Sequence, residues 1–165
     1  MDNKELEIVY LGVDELTPYE KNARKHGTFD VAVIKKSIEE FGFNDPIGIW
    51  GDKNIIVEGH GRLIAAKELG MEKVPCIRLD NLTEEQRKAY TLTHNRSAEL
   101  SLWDIDTLDA ELKLLEEQFD LQTLGFAEFL NDEIEYDTND PELNEHNQSK
   151  EKEVECPYCG EKFLI

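Results

Sequence analysis

The run Ile55-Ile56-Val57-Glu58-Gly59-His60-Gly61-Arg62-Leu63-Ile64-Ala65-Ala66 constrains this chain more than any other. Its β-branched start predicts a short strand, and the apolar spacing after Arg62 predicts a helix. Only a tight turn fits between them, and Gly59 and Gly61 permit one. The first N–H groups of such a helix have no partner inside it and point outward. Their partial positive charge, with Arg62 beside them, suits a phosphate. The spacing is neither that of the P-loop nor that of the dinucleotide fingerprint. The competing reading is a plain strand–turn–helix junction in which Arg62 pairs with a nearby carboxylate.

The flanking sequence narrows the fold. Asp45-Pro46-Ile47-Gly48-Ile49-Trp50 predicts a strand and Gly51-Asp52-Lys53-Asn54 a hairpin turn. Glu68-Leu69-Gly70 predicts the helix stop, and Val74-Pro75-Cys76-Ile77-Arg78-Leu79 a third strand. On the Gly-x-x-Arg turn and the Val-Pro-Cys strand, residues 7 to 130 resemble the ParB-like N-terminal domain of the ParB/sulfiredoxin superfamily. Asp80-Asn81-Leu82-Thr83-Glu84-Glu85-Gln86, His94-Asn95-Arg96-Ser97-Ala98-Glu99 and Trp103-Asp104 resemble its phage and prophage branch. There, such a domain often stands upstream of a DNA methyltransferase. The resemblance implies an α/β (α+β) fold, a small mixed sheet with packed helices.

Local signals place the remaining elements. Residues 6 to 11 predict an opening strand, followed by a turn stiffened by Pro18. Asp30 is a candidate N-cap for a helix with Val31, Ile34 and Ile38 on one face, ending near Phe41-Gly42. Thr83 is expected to cap a long helix running to about Ala98, with Glu84 and Glu85 in its first turn. Asp104 begins another helix, striped by Leu108, Leu112 and Leu115, and Gly125 interrupts the segment after it. Four regions follow: a nucleotide-binding core over 1–100, an acidic helical extension over 101–130, a disordered linker over 131–155, and a zinc-knuckle-like C-terminus over 156–165.

Charge divides the chain unevenly. The net charge is −19. Residues 1–100 hold 14 Lys and Arg against 18 Asp and Glu, net −4; residues 101–165 hold 4 against 19, net −15. Phosphate neutralisation drives most nonspecific DNA affinity, so weak DNA binding is expected of the chain alone. No apolar run is long enough to span a membrane. The polar start Met1-Asp2-Asn3-Lys4-Glu5 is unlike a secretory signal, and three cysteines make no disulfide framework. A cytoplasmic protein is the expectation.

Four constellations carry candidate chemistry. In partitioning ParB proteins the turn matching Gly59-His60-Gly61-Arg62 grips the triphosphate of CTP; in sulfiredoxins it carries the catalytic cysteine. His60 occupies that cysteine's place, and sulfiredoxin chemistry needs a thiolate, so peroxiredoxin repair is excluded. His60 is instead a candidate base or phosphate donor, or a turn residue facing solvent. Asn22-Ala23-Arg24 resembles the family's Asn-Pro-Arg motif and supplies amide donors and a guanidinium fork. At His94-Asn95-Arg96, CTP-binding relatives carry Glu-Asn, which helps hold nucleotide and Mg²⁺. His94 departs from that pattern, since Mg²⁺ prefers oxygen. Asn95 and Arg96 remain phosphate candidates, and Glu58 and Glu99 are the nearby carboxylates. Finally, Cys156-Pro157-Tyr158-Cys159-Gly160 has the form of half a zinc site, completed by a second chain or by His146.

These features imply a ParB-like module that binds CTP or ATP, with Mg²⁺, in phage or mobile-element DNA metabolism. Slow hydrolysis of that nucleotide is one extension. The alternatives are a non-enzymatic partner of a DNA methyltransferase, a nuclease, or a small-molecule kinase; a homodimer is open in each. Glu58 and His60 are the catalytic candidates, and Asp52 is the other carboxylate near the turn in sequence. No basic recognition helix of the helix-turn-helix kind follows the core.

Overall fold

The computed structural model describes residues 6–130, and the backbone of 153–155 and 162–164. The chain divides into two compact units, Met1–Leu130 and Asn131–Ile165. The first contains, in order, β1 (Ile8–Gly12), α1 (Thr28–Phe41), β2 (Ile47–Trp50), β3 (Ile55–Glu58), α2 (His60–Glu68), β4 (Lys73–Arg78), α3 (Glu84–Glu99) and α4 (Ile105–Leu115). Short helical turns over Gln122–Phe126 and Ala127–Phe129 close it.

The four strands form one mixed sheet in the order β1-β4-β2-β3. β1 pairs antiparallel with β4, with Ile8 opposite Ile77 and Gly12 opposite Lys73. β4 runs parallel to β2, and β2 pairs antiparallel with β3 around an irregularity between Gly48 and Ile49. Parallel strands need a crossover, and here β3 and α2 supply it between β2 and β4. Ile47, Ile49, Ile56, Val74 and Cys76 are buried within the sheet, and Leu63 and Ala66 of α2 pack on them with Leu16. This is the strand pattern expected of a sheet covered by helices. Burial pushes the Cys76 thiol up to about 11, although Arg78 pulls the other way.

Two boundaries differ from the sequence expectation. α1 begins at Thr28 behind Gly27, not behind Asp30. Asp30 lies inside the first turn, where its carboxylate pairs with His26 Nδ1 at 2.6 Å. Burial opposes ionisation of Asp30, but the hydrogen bond and charge of His26 outweigh it and hold the carboxyl below its usual value. The other difference is Glu153–Glu155, the end of the expected linker, which forms β5. It pairs antiparallel with β6 (Lys162–Leu164), Val154 opposite Phe163, so the backbone groups find partners across a short connection. The rest of the expected linker, and Cys156 and Cys159, lie outside the described residues.

The other predicted caps are present. Thr83 accepts from the Gln86 N–H while the Gln86 side chain accepts from the Thr83 N–H, a reciprocal capping box. Asp104 caps α4 through the Thr107 N–H at 2.9 Å. Leu108, Leu112 and Leu121 build a second apolar cluster with Phe119, Leu124 and Phe126. The chain after α4 packs back on α1, where Gly125 (φ 94°) meets Val33. On the opposite side, Arg87 is buried with its guanidinium 4.3 Å from the Tyr19 ring and 5.4 Å from that of Trp50. Among the described residues, no acceptor reaches its Nε or Nη1.

Candidate functional site

The turn between β3 and α2 opens into a cavity of about 570 Å³. Gly59 caps α2 in the left-handed region, with φ 90° and ψ 25°. Its carbonyl accepts from the Leu63 N–H, which begins the helical ladder. The N–H groups of His60, Gly61 and Arg62 precede the first helical hydrogen bond and head the helix dipole. Gly61 is required by space: a Cβ there would stand 2.9 Å from both the His26 ring and the Ile34 methyl. α1 thus lies close over the start of α2.

Around this turn the structure gathers Asn22, Arg24, Glu58, Gly59, His60, Gly61, Arg62 and Asn95. Arg96 is not among them. It lines a separate shallow depression with Leu92 and Leu100, and pairs with Glu99 at 3.3 Å. Glu99 also holds Arg24 at 3.1 Å, so one carboxylate at the end of α3 tethers the loop that carries Arg24. Asn22 shapes the same loop, accepting from the Arg24 N–H and donating to its carbonyl.

Arg62 faces both of its predicted uses. Its guanidinium covers Gly59, 3.0 Å from where a Cβ would lie. Its Nη1 donates to the Asp45 and Pro46 carbonyls at 2.8 and 3.1 Å and pairs with the Asp45 carboxylate. The carboxylate pairing of the plain-junction reading is therefore present, and Arg62 fixes the entrance to β2. Asn95 spends one donor on the Thr91 carbonyl at 3.0 Å and lines the cavity.

His60 does not face solvent as a free base. Its Nε2 accepts from the Tyr19 N–H at 3.1 Å, which pins the segment after Pro18 to the turn. Burial, with the charge of His26, lowers its pKa to about 4. At neutral pH its Nε2 lone pair is thus already engaged. Glu58 is placed differently. A Cβ on Gly48 would come within 2.6 Å of the Glu58 side chain, so that glycine makes room for it across the β2–β3 pair. Glu58 Oε2 accepts from the Tyr90 hydroxyl and pairs with His94 Nε2, both at 3.0 Å. Burial first, then the charge and hydrogen bond of Glu58, raise the Tyr90 pKa. Tyr90 and His94 lie one turn apart on α3 with their rings 6.0 Å apart. Sequence reasoning missed Tyr90; its i,i+4 spacing to His94 is the signal that could have found the pair. Nothing in the sequence joined it to Glu58.

Apolar Val33, Ile34, Ile38, Phe41 and Phe43 line the same cavity as the helix start, Arg24 and the amides. Among the described residues, no three His, Cys, Asp or Glu side chains are grouped to hold a metal ion. Nor is any helix there long and apolar enough to cross a membrane.

Comparison with known proteins bears on family and fold. The ParB N-terminal domain family matches residues 1–96. This chain belongs to that family. The ParB-like region is 45% identical over 86 residues to the ParB-like nuclease domain-containing protein YnaK of Escherichia coli (strain K12), covering 52% of this chain and 98% of YnaK. It is 35% identical over 92 residues to the ATP-dependent L-serine kinase of Staphylothermus marinus (strain ATCC 43588 / DSM 3639 / JCM 9404 / F1), covering 49% of this chain but 32% of the kinase. The chain therefore spans about a third of that enzyme. Among solved structures it is similar to the C-terminally truncated chromosome-partitioning protein ParB of Caulobacter crescentus, complexed with CTP-gamma-S. The TM-score is 0.60 at 19% identity, over 72% of this chain and 70% of that one. That likeness establishes a ParB/sulfiredoxin-like fold.

Proposed function

We propose that this ParB-like domain binds a nucleoside triphosphate, CTP or ATP, with its phosphates at the N-terminus of α2. One observation carries the reading: the first turn of α2, whose N–H groups precede the helical ladder, lines the same cavity as Arg24 and Asn95. The ParB complex with CTP-gamma-S and the ATP-dependent kinase relative agree with it. Helix N–H groups and Arg24 supply positive charge for the phosphates, and the apolar lining residues offer surface to the uncharged part of the ligand. Arg24 must loosen from Glu99 to engage fully, so Asn22, Gly59, Gly61 and Asn95 form the pre-set part of the site.

His60 is spent on the Tyr19 N–H, so the base in this cavity would be Glu58, which must first release Tyr90 or His94 from its Oε2. Mg²⁺ is usually held by one or two carboxylates together with phosphates and water. Of the cavity carboxylates, Asp45 is tied to Arg62 and Glu58 Oε2 to Tyr90 and His94, so such an ion would be held mainly by phosphates and water, with the other Glu58 oxygen as its protein ligand. The ion would neutralise phosphate charge. Slow hydrolysis then rests on electrostatic stabilisation by fixed donors. The serine kinase relative favours a second reading, transfer of the phosphoryl group to a hydroxyl instead of water. Residence in phage or mobile-element DNA metabolism beside a DNA methyltransferase, a cytoplasmic location, and zinc at Cys156 and Cys159 belong to the same proposal.

The test is calorimetry and thermal melting with CTP, ATP, GTP and UTP, with and without Mg²⁺. Ligand at one hundred times its Kd should add about 2.7 kcal/mol of stability. Asn95→Ala and Arg24→Ala should each weaken binding by about 1.5–3 kcal/mol if they contact phosphate. No binding at millimolar nucleotide, or unchanged affinity in both variants, refutes the proposal. Glu58→Gln should retain binding while turnover falls, and the products distinguish hydrolysis from phosphoryl transfer.

A further inference from the structure

A second cavity, of about 690 Å³, lies away from the Gly59 turn, between α1 and the acidic extension. Leu108, Leu112 and Leu115 of α4 form one wall, and Val33, Ser37 and Phe41 of α1 the other. Large apolar groups stand open at and beside it: Trp103 is 63% exposed, Phe41 50% and Leu115 37%. An apolar groove of this kind marks an interaction surface more often than a bare surface does. The charged residues that line it, Asp104 and Glu111, are both acidic. Asp106, Asp109, Glu116, Glu117 and Asp120 continue the same sign through the extension, while Lys113 is engaged with Asp109.

We propose that this groove docks a basic amphipathic helix of a partner protein. Its leucine-type face would lie against the α1 and α4 walls, and its Lys and Arg residues would meet the acidic rim. The walls offer helix-in-groove recognition, in which apolar residues at i, i+3, i+4 and i+7 anchor the partner. The rim selects the sign of the partner's charge and speeds the encounter. A second copy of this chain is the wrong occupant, because two molecules of net charge −19 would bring like charge to the same rim. The groove shares Val33, Ser37 and Phe41 with the first cavity, so nucleotide binding is measured beside peptide binding: loss of one with the other retained tells the two readings apart.

The probe is a synthetic peptide of about 14 residues, long enough to sample helix, with Leu on one face and Lys on the other. Two controls accompany it: a Leu/Glu twin, and a Leu/Lys peptide of the same composition without an apolar face. Calorimetry on the full chain at physiological salt should show the amphipathic basic peptide binding at least about tenfold tighter than either control. Thr107→Trp and Leu115→Trp place bulk in the groove at two positions of α4 that do not line the first cavity, without changing charge, and each should weaken that peptide about tenfold. Circular dichroism and a melt of each variant verify its fold, and one folded variant suffices for the comparison. Equal binding of the scrambled basic peptide would mean charge alone and would overturn the proposal. So would equal binding of the acidic twin, absence of binding, or undiminished affinity in a folded groove-filling variant.

Discussion

His60 accepts a backbone proton where a free histidine would carry its own. The unfolded side chain titrates near 6.5 and the folded one near 4, so between these values the unfolded chain binds more protons. Stability from this residue is therefore complete above about pH 6.5 and declines as pH falls toward 4. Melting curves across that range should lose on the order of 1–3 kcal/mol that a His60→Gln variant does not lose. Arg87 poses a different question at the same scale. It is 2% exposed and lies over the Tyr19 ring, and among the described residues no acceptor reaches its Nε or Nη1. Burying such a charge is costly, and apolar replacements of similar volume are often neutral or better. Arg87→Met should leave the melting temperature equal or higher, whereas Arg87→Ala should lower it by roughly 1–3 kcal/mol equivalent through lost packing. A higher melting temperature for the alanine variant would reverse the account.

The elements differ in how far the sequence declared them. β2 and β3 announce themselves as short apolar stretches that stop at Gly51 and Gly59, α2 by its apolar face and its stop at Gly70, and β4 by the run from Val74 to Leu79. The caps of α3 and α4 are local chemistry, and Thr83, Gln86 and Asp104 carry it in one stretch of chain. The start of α1 was less legible, since Asp30 looks like a cap until His26, four residues earlier, claims its carboxylate. The site was half legible for a related reason. The Gly59–Arg62 turn is contiguous, but Glu58, Tyr90 and His94 meet only through tertiary packing, as do Arg62 and Asp45. Arg96 illustrates the converse: it sits beside Asn95 in sequence, yet the helix turns it to another face. At this scale the extension is testable. Leu112 is 4% exposed in the second cluster, so Leu112→Ala should cost about 2–4 kcal/mol in denaturant unfolding. A cost below about 0.5 kcal/mol would mean α4 contributes nothing to the fold it joins.

For the molecule as a whole, charge and metal set the expectations. With net −15 in residues 101–165, random duplex DNA should form no tight complex in a gel shift at physiological salt. Truncation after Leu130 removes much of that charge and should raise the residual affinity. Submicromolar binding by the full chain that falls steeply with salt would contradict this. Zinc at Cys156 and Cys159, if shared between two chains, should appear as about half an equivalent per chain by mass spectrometry and vanish when both are changed to serine. Cys76 should stay unalkylated at neutral pH under the same native conditions, because its thiol is pushed up to about 11.

The sheet order has a consequence for birth on the ribosome. β1 is made first, yet its neighbour is β4, with Ile8 opposite Ile77. At roughly 5–20 residues per second, about 3–14 s of synthesis separate the two. During that interval the hydrogen-bonding edge of Ile8–Gly12 has nothing native to pair with. Its main-chain groups are then open to a chaperone or to another nascent chain. Yield in the cell should therefore depend on translation speed between residues 12 and 73, and slow codons there should lower the soluble fraction without altering a single contact of the finished protein.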